Sequence, residues 1–525
     1  MPVVADKRAS IAALPDRTRH TLAAFAVVLI AFKLAMHVVA AAITPFEFHR
    51  DEFLYFAMGN HLQFLRMDFP PMIAMLAEAV RAVAGSSLFA YRALPALVGT
   101  AVVWFAVLAA REMGGGRTAQ VITAVAVIFN PLFLRAASLF QPVVLDQFWW
   151  MLGFYALVRL GNSSDRKWWI LLGVAGGLGL LSKFSVLFFG AAVLAGILLT
   201  RRRDLRTIGP WIALGIALIL GAPSLIGQVA LDWPLFEQMA GLKEGQLDRI
   251  TFASFVAEQL LWGPAAFVFA VAGAVALVRS PSLARHRVVG WSAIAAFALY
   301  AVTKGKSYYV GPIYPVLFAG AGVWVEQLAR PTLRRAIAWT IVGLTVLFGL
   351  ATLPFGLPIL PPELMARYAA ATGVTAGVKT NRGELLALPQ DYADMTGWRE
   401  KAEAVAAVYR GLSPAEQAEV VLYGNNYGQA GALEFYGRAF ALPRVVSLAG
   451  SFYLFGSGER PGRIVIFLGV ELSDVAELGC ASLAEVARVQ NRWGVTEEQD
   501  VPILLCRQPK LTIQEVWKVQ HPHWG

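Results

Sequence analysis

The sequence predicts a polytopic α-helical membrane protein that ends in a separate α/β domain. The chain of 525 residues is 57% hydrophobic and only 15% charged, which is too apolar for one soluble globule. Its apolar residues come in long runs, and their length matches helices that cross a bilayer. From about residue 361 these long runs stop, and short apolar runs separated by polar stretches take their place.

Eleven apolar segments are interpreted as membrane spans. They cover residues 21–43, 89–110, 118–136, 143–160, 167–183, 185–200, 208–230, 258–278, 288–303, 308–328 and 336–358. The segment 70–85 is apolar but short and carries Glu78 and Arg81, which predicts a helix at the membrane surface. If that segment crossed the membrane, the topology after it would be inverted. The basic N-terminus looks like a secretory signal, but the first apolar run is too long for one, so we expect no cleavage.

Basic residues collect in every second connection between the predicted spans, for example at 201–206 and 330–335. By the positive-inside rule these connections face the cytoplasm, and the basic pI needs no nucleic acid to explain it. The predicted organisation is a cytoplasmic tail (1–20), a transmembrane domain (21–360) with a first outer loop (44–88), and an extracytoplasmic domain (361–525).

The outer domain is predicted to be a compact α/β unit. Its short apolar runs VVLYG, RIVIFLG and VPILLC alternate with amphipathic stretches such as REKAEAVAAVYRGL. Both cysteines, Cys480 and Cys506, lie in this part of the chain. An oxidising compartment permits a disulfide between them, but two buried free thiols remain an open alternative because the sequence gives no geometry.

The first outer loop begins with ITPFEFHRDEFLYF, residues 43–56, directly after the first apolar run. A charged loop at a membrane surface is often only a solvated face, and this explains Arg50 and Glu52 well. Asp51 is different, because the surrounding aromatic residues predict an apolar and poorly hydrated environment for its carboxylate. A carboxylate in such a place suits the removal of a proton from a hydroxyl group.

Further charged residues stand at the outer ends of predicted spans. Asp146 lies at the outer end of the fourth span, where it is either functional or a solvated cap. Lys183, Lys304 and Lys306 run against the positive-inside bias. They either snorkel to lipid headgroups or bind an anionic group such as a lipid-linked phosphate.

Other signals are weaker. Tyr308 and Tyr309 line a groove for a sugar or an isoprenoid tail, or belong to the aromatic belt of the membrane. His49 and His61 flank the acidic stretch, but with scattered acids they do not form a recognisable metal-ligand set. No phosphate-loop, nucleophile-elbow or dinucleotide motif is found, so neither nucleotide-driven chemistry nor an organic cofactor is predicted.

The order of these segments resembles the bacterial branch of the dolichyl-phosphate-mannose protein mannosyltransferase superfamily, of glycosyltransferase family 39 and 83 type. These GT-C-fold enzymes include the aminoarabinose transferase that modifies lipid A and rhizobial galacturonosyl transferases. The resemblance covers about residues 20–330 and rests on the stretches DFPPMIAML, LDQFWWMLGFYALVRL, GGLGLLSKFSVLFF and KGKSYYVGPIYPVLFAGAG. The stretch YGNNYGQAGALEFYGRAFALPRVVS also looks like outer domains of bacterial members.

The resemblance implies a glycosyltransferase at the outer face of a bacterial cytoplasmic membrane. A sugar on a polyprenyl phosphate is transferred, with inversion, to a hydroxyl of a lipid, a glycan or a protein. The implied catalytic residues are Asp51 as base, Glu52 as its partner and Asp146 as a second acid. The implied phosphate-binding residues are Lys183, Lys304, Lys306 and Arg50, and the implied groove residues are Tyr55, His61, Tyr308 and Tyr309.

The chain departs from the family pattern at two places. The pair His49-Arg50 before Asp51 has no general counterpart, and Phe69 precedes the Pro-Pro step where the aminoarabinose branch often has lysine. These differences leave the donor sugar open. Two alternatives also remain, a transporter of lipid-linked sugars and a non-catalytic subunit of an envelope-assembly complex. The transporter is disfavoured because the charges gather at one face instead of lying deep within several spans.

Overall fold

The computed structural model describes residues 22–373, 379–380, 383–460 and 462–522, and its first part is almost entirely helical. The predicted cytoplasmic tail, residues 1–20, lies outside the described residues. The helices of this first part are α1 (Ala24–Ile43), α2 (Arg50–Asn60), α3 (Met72–Ala84), α4 (Leu88–Glu112), α5 (Arg117–Ile128), α6 (Pro131–Ala136), α7 (Pro142–Asn162), α8 (Lys167–Ser182), α9 (Val186–Thr200), α10 (Gly209–Ala230), α11 (Pro234–Gly245), α12 (Phe252–Leu261), α13 (Pro264–Arg279), α14 (Arg287–Val302), α15 (Tyr314–Glu326), α16 (Pro331–Ala351), α17 (Leu353–Gly356) and α18 (Pro362–Thr372). Short 3₁₀ turns occur at Arg202–Arg206, Leu247–Arg249, Pro281–His286 and Ser307–Ile313.

Six helical stretches of the described chain are long and apolar enough to cross a membrane. They are α1, α4, α7, α10, Ser307–Glu326 and α16. Helices α12 and α13 meet at an angle of 112° and make a seventh span if they are counted together. These apolar helices support a multi-pass membrane protein.

The remaining predicted spans are helical but shorter than expected. Helices α5, α8, α9 and α14 contain 12, 16, 15 and 16 residues. At about 1.5 Å per residue, each is shorter than a hydrocarbon core of roughly 30 Å. The number of eleven spans therefore stays a prediction. Helix α3, predicted to lie at the membrane surface, has 13 residues, and its position relative to the lipid also stays a prediction.

The outer surface of the helical part is strongly apolar. Trp339 and Leu347 on α16 are 74% and 67% exposed, and Val302 at the end of α14 is 82% exposed. Large apolar side chains exposed in such numbers mark a surface that another apolar phase covers. A lipid bilayer supplies that phase around the helices.

The break between α5 and α6 makes a corner inside the bundle. The carbonyl groups of a short helix such as α6 lack intrahelical partners and need other donors inside a membrane. Two polar residues of α1 meet this need: Lys33 Nζ donates to Phe133 O at 3.3 Å, and His37 Nε2 lies 3.1 Å from Leu134 O. The corner carries Arg135 at the end of α6.

A five-stranded mixed sheet forms the C-terminal part. Its strands are β1 (Val420–Gly424), β2 (Val445–Val446), β3 (Ile464–Leu468), β4 (Ser482–Gln490) and β5 (Asp500–Arg507), in the spatial order β2-β1-β3-β5-β4. Strands β1, β2 and β3 are parallel, and β5 runs antiparallel to both of its neighbours. Strands β1, β3 and β5 coincide with the three short apolar runs. Helices at Gln390–Ala393, Trp398–Arg410, Pro414–Glu419, Tyr427–Gly437, Ser451–Leu454, Leu472–Val475 and Ile513–Val519 accompany the sheet.

Cys480 and Cys506 form a disulfide, which settles the question that the sequence left open. Cys506 lies in β5, and Cys480 lies just before β4, so the bond joins the beginning of the edge strand to its neighbour.

The sheet and the first outer loop share one apolar core. Phe48 lies with its ring 5.0 Å from that of Phe435, and Phe56 lies 5.3 Å from the same ring. A Cβ atom on Gly431 would come within 3.0 Å of the backbone of Phe53, so only glycine lets the two helices approach this closely. The division of the chain at residue 360 stays a prediction, but the sheet is firmly packed on α2.

Candidate active site

Asp51 stands in the first turn of α2, where the membrane helices meet the C-terminal sheet. Its Oδ1 accepts a hydrogen bond from the Tyr427 hydroxyl at 3.0 Å, and its Oδ2 accepts one from Gln141 Nε2 at 3.1 Å. The side chain remains 33% exposed. Two neutral donors from distant parts of the chain thus hold a carboxylate that a substrate can still reach.

His49 caps α2 and links Asp51 to two further acids. The backbone N–H of Asp51 donates to His49 Nδ1 at 3.1 Å, which assigns the hydrogen of a neutral ring to Nε2. Nε2 faces Asp391 Oδ1 at 3.6 Å and Asp394 Oδ2 at 3.9 Å. Burial lowers the pKa of His49, but the interactions with Asp391, Asp51 and Asp394 outweigh it and raise the pKa above its ordinary value.

The two acids that face His49 differ in their surroundings. Asp391 Oδ2 accepts a hydrogen bond from Arg135 Nε at 2.7 Å. Burial raises the pKa of Asp391, but Arg135 and His49 outweigh it and hold the pKa well below its usual range. Burial raises the pKa of Asp394 to about 6, because His49 and Arg50 offset it only in part. The cluster therefore joins α2, the α6 corner and the short helix Gln390–Ala393.

Glu52 is fully buried, and both of its oxygens are engaged. Oε2 accepts from the His49 backbone N–H at 2.6 Å, and Oε1 accepts from the Phe140 backbone N–H at 2.8 Å. Arg92 lies 3.8 Å from the same carboxylate. Glu52 thereby ties the segment that precedes Asp51 to the segment that precedes Gln141.

A group of lysines and tyrosines lies near Asp51. Burial lowers the pKa of Lys306 below its ordinary value, Asp51 and Asp391 counteract this in part, and Lys183 lowers the pKa further. Lys183 Nζ lies over the ring of Tyr309 at 4.8 Å and over that of Tyr308 at 5.7 Å. The charges of Asp51 and Lys183 therefore both act on Lys306.

Asp146 is enclosed within α7 and is only 3% exposed. Its Oδ1 accepts a hydrogen bond from Ser185 Oγ at 2.7 Å, just after Lys183 in the chain. Asp146 and Lys183 also interact through their charges. The structure thus brings Asp51, Asp146, Lys183 and Lys306 of the predicted site into one neighbourhood, together with the two tyrosines.

Two predicted phosphate-binding residues have other partners. Lys304 Nζ lies 3.6 Å from Asp248 Oδ1. Arg50 Nη1 donates to Glu497 Oε1 at 3.0 Å, and its guanidinium stacks over the ring of Tyr427 at 4.9 Å. Their phosphate contacts stay a prediction.

Of the two remaining groove residues, Tyr55 lies on α2 and His61 directly follows it. Tyr55 follows Asp51 by one helical turn and is buried, and burial followed by the charge of Asp51 raises its pKa well above the ordinary value. His61 closes the far end of α2, where its Nε2 lies 3.3 Å from Glu434 Oε2 and its ring stacks on Phe455 at 4.5 Å. Asp51 and His61 therefore lie at opposite ends of one helix.

Sequence reasoning missed several residues of this site: His49 as a linking group, Arg135, Gln141, Asp391 and Tyr427. Gln141 and Tyr427 each stand at the start of a helix, in the stretches FQPVVLD and NNYGQAG, and polar residues there are easily assigned to capping. In the described chain no group of three or more His, Cys, Asp or Glu residues was found that is arranged to hold a metal ion.

Residues 68–226, less than half of the chain, match the family model described as dolichyl-phosphate-mannose-protein mannosyltransferase. No curated protein sequence matches the chain.

Solved structures with a similar fold include ArnT from Cupriavidus metallidurans. Its crystal structure bound to undecaprenyl phosphate has a TM-score of 0.60 and 17% identity, and the match covers 92% of this chain and 98% of ArnT. The apo crystal structure gives the same TM-score and identity over 91% and 97% of the two chains. The mycobacterial arabinofuranosyltransferase AftD matches with a TM-score of 0.47 and 16% identity, over 92% of this chain and 40% of AftD. The family-model match and the fold shared with ArnT agree with the family resemblance that the sequence indicates.

Proposed function

We propose that this protein transfers a sugar from a polyprenyl-phosphate donor to a hydroxyl acceptor at the membrane surface. The observation that carries the proposal is the position of Asp51, a partly exposed carboxylate, near the partly buried Lys306, whose charge interacts with those of Asp51 and Lys183. Transfer of this kind needs a base for the acceptor and cations for the leaving phosphate. We place this base and these cations at the membrane surface, where lipid-linked substrates present their headgroups.

The lysines supply the positive charge that a departing phosphate needs. Lys183 and Lys306 have few compensating acids in contact, so each gains from an anionic partner. We assign the donor phosphate to this pair, and Lys304 and Arg50, which already have carboxylate partners, to the margin of the site. ArnT, which shares the fold, was crystallised with undecaprenyl phosphate.

The reaction follows from this arrangement. The acceptor hydroxyl attacks the anomeric carbon and gives its proton to the Asp51 carboxylate. A new carbon–oxygen bond forms as the bond to the phosphate oxygen breaks, and the electron pair of that bond stays on the phosphate. Attack opposite to the leaving group inverts the configuration at the anomeric carbon. The two lysines offset the charge that develops on the polyprenyl phosphate.

Glu52 and Asp146 have supporting roles in this scheme. Both oxygens of Glu52 accept hydrogen bonds from backbone N–H groups, those of His49 and Phe140. Glu52 thereby positions the chain next to Asp51 and next to Gln141. Asp146 is too enclosed to meet an acceptor, but its charge acts on Lys183 and orients it toward the phosphate. Tyr308 and Tyr309 form the wall against which the lysine is held.

The expected topology places this site outside the cytoplasm. The basic connections support an N-terminus on the cytoplasmic side and a C-terminal sheet on the outer side of a bacterial inner membrane. The acceptor is then a lipid, a glycan or a protein available at that face. The donor sugar is set by residues around the anomeric carbon.

Transfer of radiolabelled sugars from polyprenyl phosphates in membranes tests the proposal. Wild type is expected to transfer label to an acceptor, and Asp51→Asn is expected to lose at least about a hundredfold of the rate. Asp165→Asn is the matched control, because Asp165 is an exposed ion-paired acid in the connection between α7 and α8. Equal transfer by wild type and Asp51→Asn would remove Asp51 from the mechanism. Absence of transfer by wild type across lipid, glycan and protein acceptors would instead favour a transporter or an assembly subunit.

A further inference from the structure

The C-terminal part of the chain supplies a hydroxyl that contacts Asp51 directly. Tyr427 begins the helix Tyr427–Gly437 and donates its hydroxyl to Asp51 Oδ1 at 3.0 Å. Gln141 donates to the other oxygen of the same carboxylate. Together the two donors fix the plane of the carboxylate, whereas one donor alone would leave it free to rotate.

A buried polar network holds Tyr427 in place. Asn426 caps the helix by accepting from the Gln429 backbone N–H at 3.0 Å, and its Nδ2 donates to Glu498 Oε1 at 2.8 Å. Glu498 in turn forms an ion pair with Lys401 at 2.9 Å, and these two side chains are at most 1% exposed. A buried ion pair often contributes little net stability. Because this pair holds Asn426, the residue next to Tyr427, its role is better explained as orienting the start of the helix.

The ring of Tyr427 is held from the other side by α2. The guanidinium of Arg50 lies over the ring at 4.9 Å and is itself anchored by Glu497. A Cβ atom on Gly428 would come within 2.6 Å of Arg50 Cγ, so glycine is required for this approach. The sheet is therefore docked on the site in a fixed position, with the hydroxyl aimed at Asp51.

From these contacts we infer that Tyr427 is a positioning residue for Asp51, an inference that rests on the proposed function. The hydroxyl stabilises the charged form of the carboxylate and keeps its free lone pairs directed toward the acceptor. Because this donor comes from the C-terminal part, the site is complete only when the sheet is docked. The C-terminal part belongs to the catalytic unit.

The test compares Tyr427→Phe with Tyr436→Phe in the full-length protein. Tyr436 lies on the same helix and also donates its hydroxyl to a carboxylate, Glu47 Oε2 at 3.1 Å, so it is a matched control. Phenylalanine keeps the ring that stacks under Arg50. Tyr427→Phe is expected to lower kcat for sugar transfer by roughly ten- to a hundredfold, with the donor KM within about twofold. Tyr436→Phe is expected to leave kcat near that of wild type.

The split between kcat and KM separates positioning from a general structural effect. Loss of the Tyr427 donor leaves the Asp51 carboxylate free to rotate, so kcat falls while the donor KM is kept. A variant that disturbs the fold of the site would change kcat and KM together, and both variants leave the hydrogen bond from Gln141 to Asp51 in place.

Each outcome is decisive. A wild-type kcat in Tyr427→Phe, or equal losses in both variants, would overturn the positioning role while the proposed function stands. Wild-type protein without transfer activity would overturn the proposed function, and the positioning role with it. Thermal unfolding in detergent, matched between the two variants, ensures that the rates refer to folded protein.

Discussion

The surroundings of Asp51 and Asp146 differ, although the sequence presents both as acids at the outer ends of membrane spans. Asp51 is one-third exposed and accepts from neutral donors that belong to two separate parts of the chain. Asp146 is nearly inaccessible, accepts from Ser185 and interacts with Lys183. In the proposed mechanism this difference separates two tasks: the accessible acid receives a proton, and the enclosed acid orients the cation that meets the phosphate.

The largest difference is expected between Asp51→Asn and Asp146→Asn. Asp51→Asn should lower kcat at least about a hundredfold with donor affinity retained, because it removes the base. Asp146→Asn should act mainly on donor affinity, through Lys183. Steady-state kinetics with varied donor concentration checks this. A pure kcat effect in Asp146→Asn, equal to that of Asp51→Asn, would break the distinction between the two acids.

A smaller effect, on stability more than on chemistry, is expected from Glu52→Gln. The buried carboxylate accepts from two backbone N–H groups, but an amide has only one oxygen, so one N–H must lose its partner. A loss of about 1–3 kcal/mol in the free energy of unfolding is expected. Thermal unfolding in detergent measures it, with Glu78→Gln on the exposed face of α3 as the control. Unchanged stability would show that Glu52 does not brace the two segments.

Asp68 gives a pH-dependent contrast away from the site. Burial raises its pKa from 3.8 to about 6, although Ser451 Oγ donates to it at 2.7 Å. Between about pH 4 and about pH 6 the folded state therefore keeps a proton on Asp68 that the unfolded state has released. The contribution of Asp68 to the free energy of unfolding falls as pH rises through this interval. Asp68→Asn should remove this dependence, so its melting temperature relative to wild type should rise across that interval. A constant difference from pH 4 to pH 7 would contradict the assignment.

The smallest effect is expected for Lys304→Met. Its ammonium group is half-exposed and faces Asp248, and a surface ion pair of this kind contributes about 1 kcal/mol or less. Donor affinity and kcat should both stay within about twofold of wild type. Titration with the donor checks this, with Lys306→Met as the comparison. An equal loss of affinity in both variants would place Lys304 at the phosphate after all.

The sequence predicts the parts of the site that lie next to the first span. Asp51 is recognisable because charge and aromatic residues follow an apolar run directly, and three sheet strands are recognisable as short apolar runs. The partners of Asp51 are not recognisable in this way. Tyr427 is 376 residues away along the chain, and only the docking of the sheet on α2 brings its hydroxyl to the carboxylate.

Lys304 and Lys306 show a second limit of sequence reasoning. The two residues look equivalent in TKGKSYY, yet Lys304 faces Asp248 whereas Lys306 interacts with the charge of Asp51. Lys304 has a φ of 54°, and this left-handed turn directs its side chain to Asp248. Backbone conformation at a single residue therefore decides which lysine faces the site. No pattern of residue types reports that choice.

The most direct test of the account is the binding of undecaprenyl phosphate to three purified proteins. These are wild type, Asp51→Asn and the double variant Lys183→Met/Lys306→Met. Asp51→Asn should bind within about twofold of wild type, and the double variant should lose at least about tenfold of the affinity, because each charged contact to phosphate is worth roughly 1.5–3 kcal/mol. Equal affinity in all three proteins would contradict a phosphate site at these lysines beside Asp51.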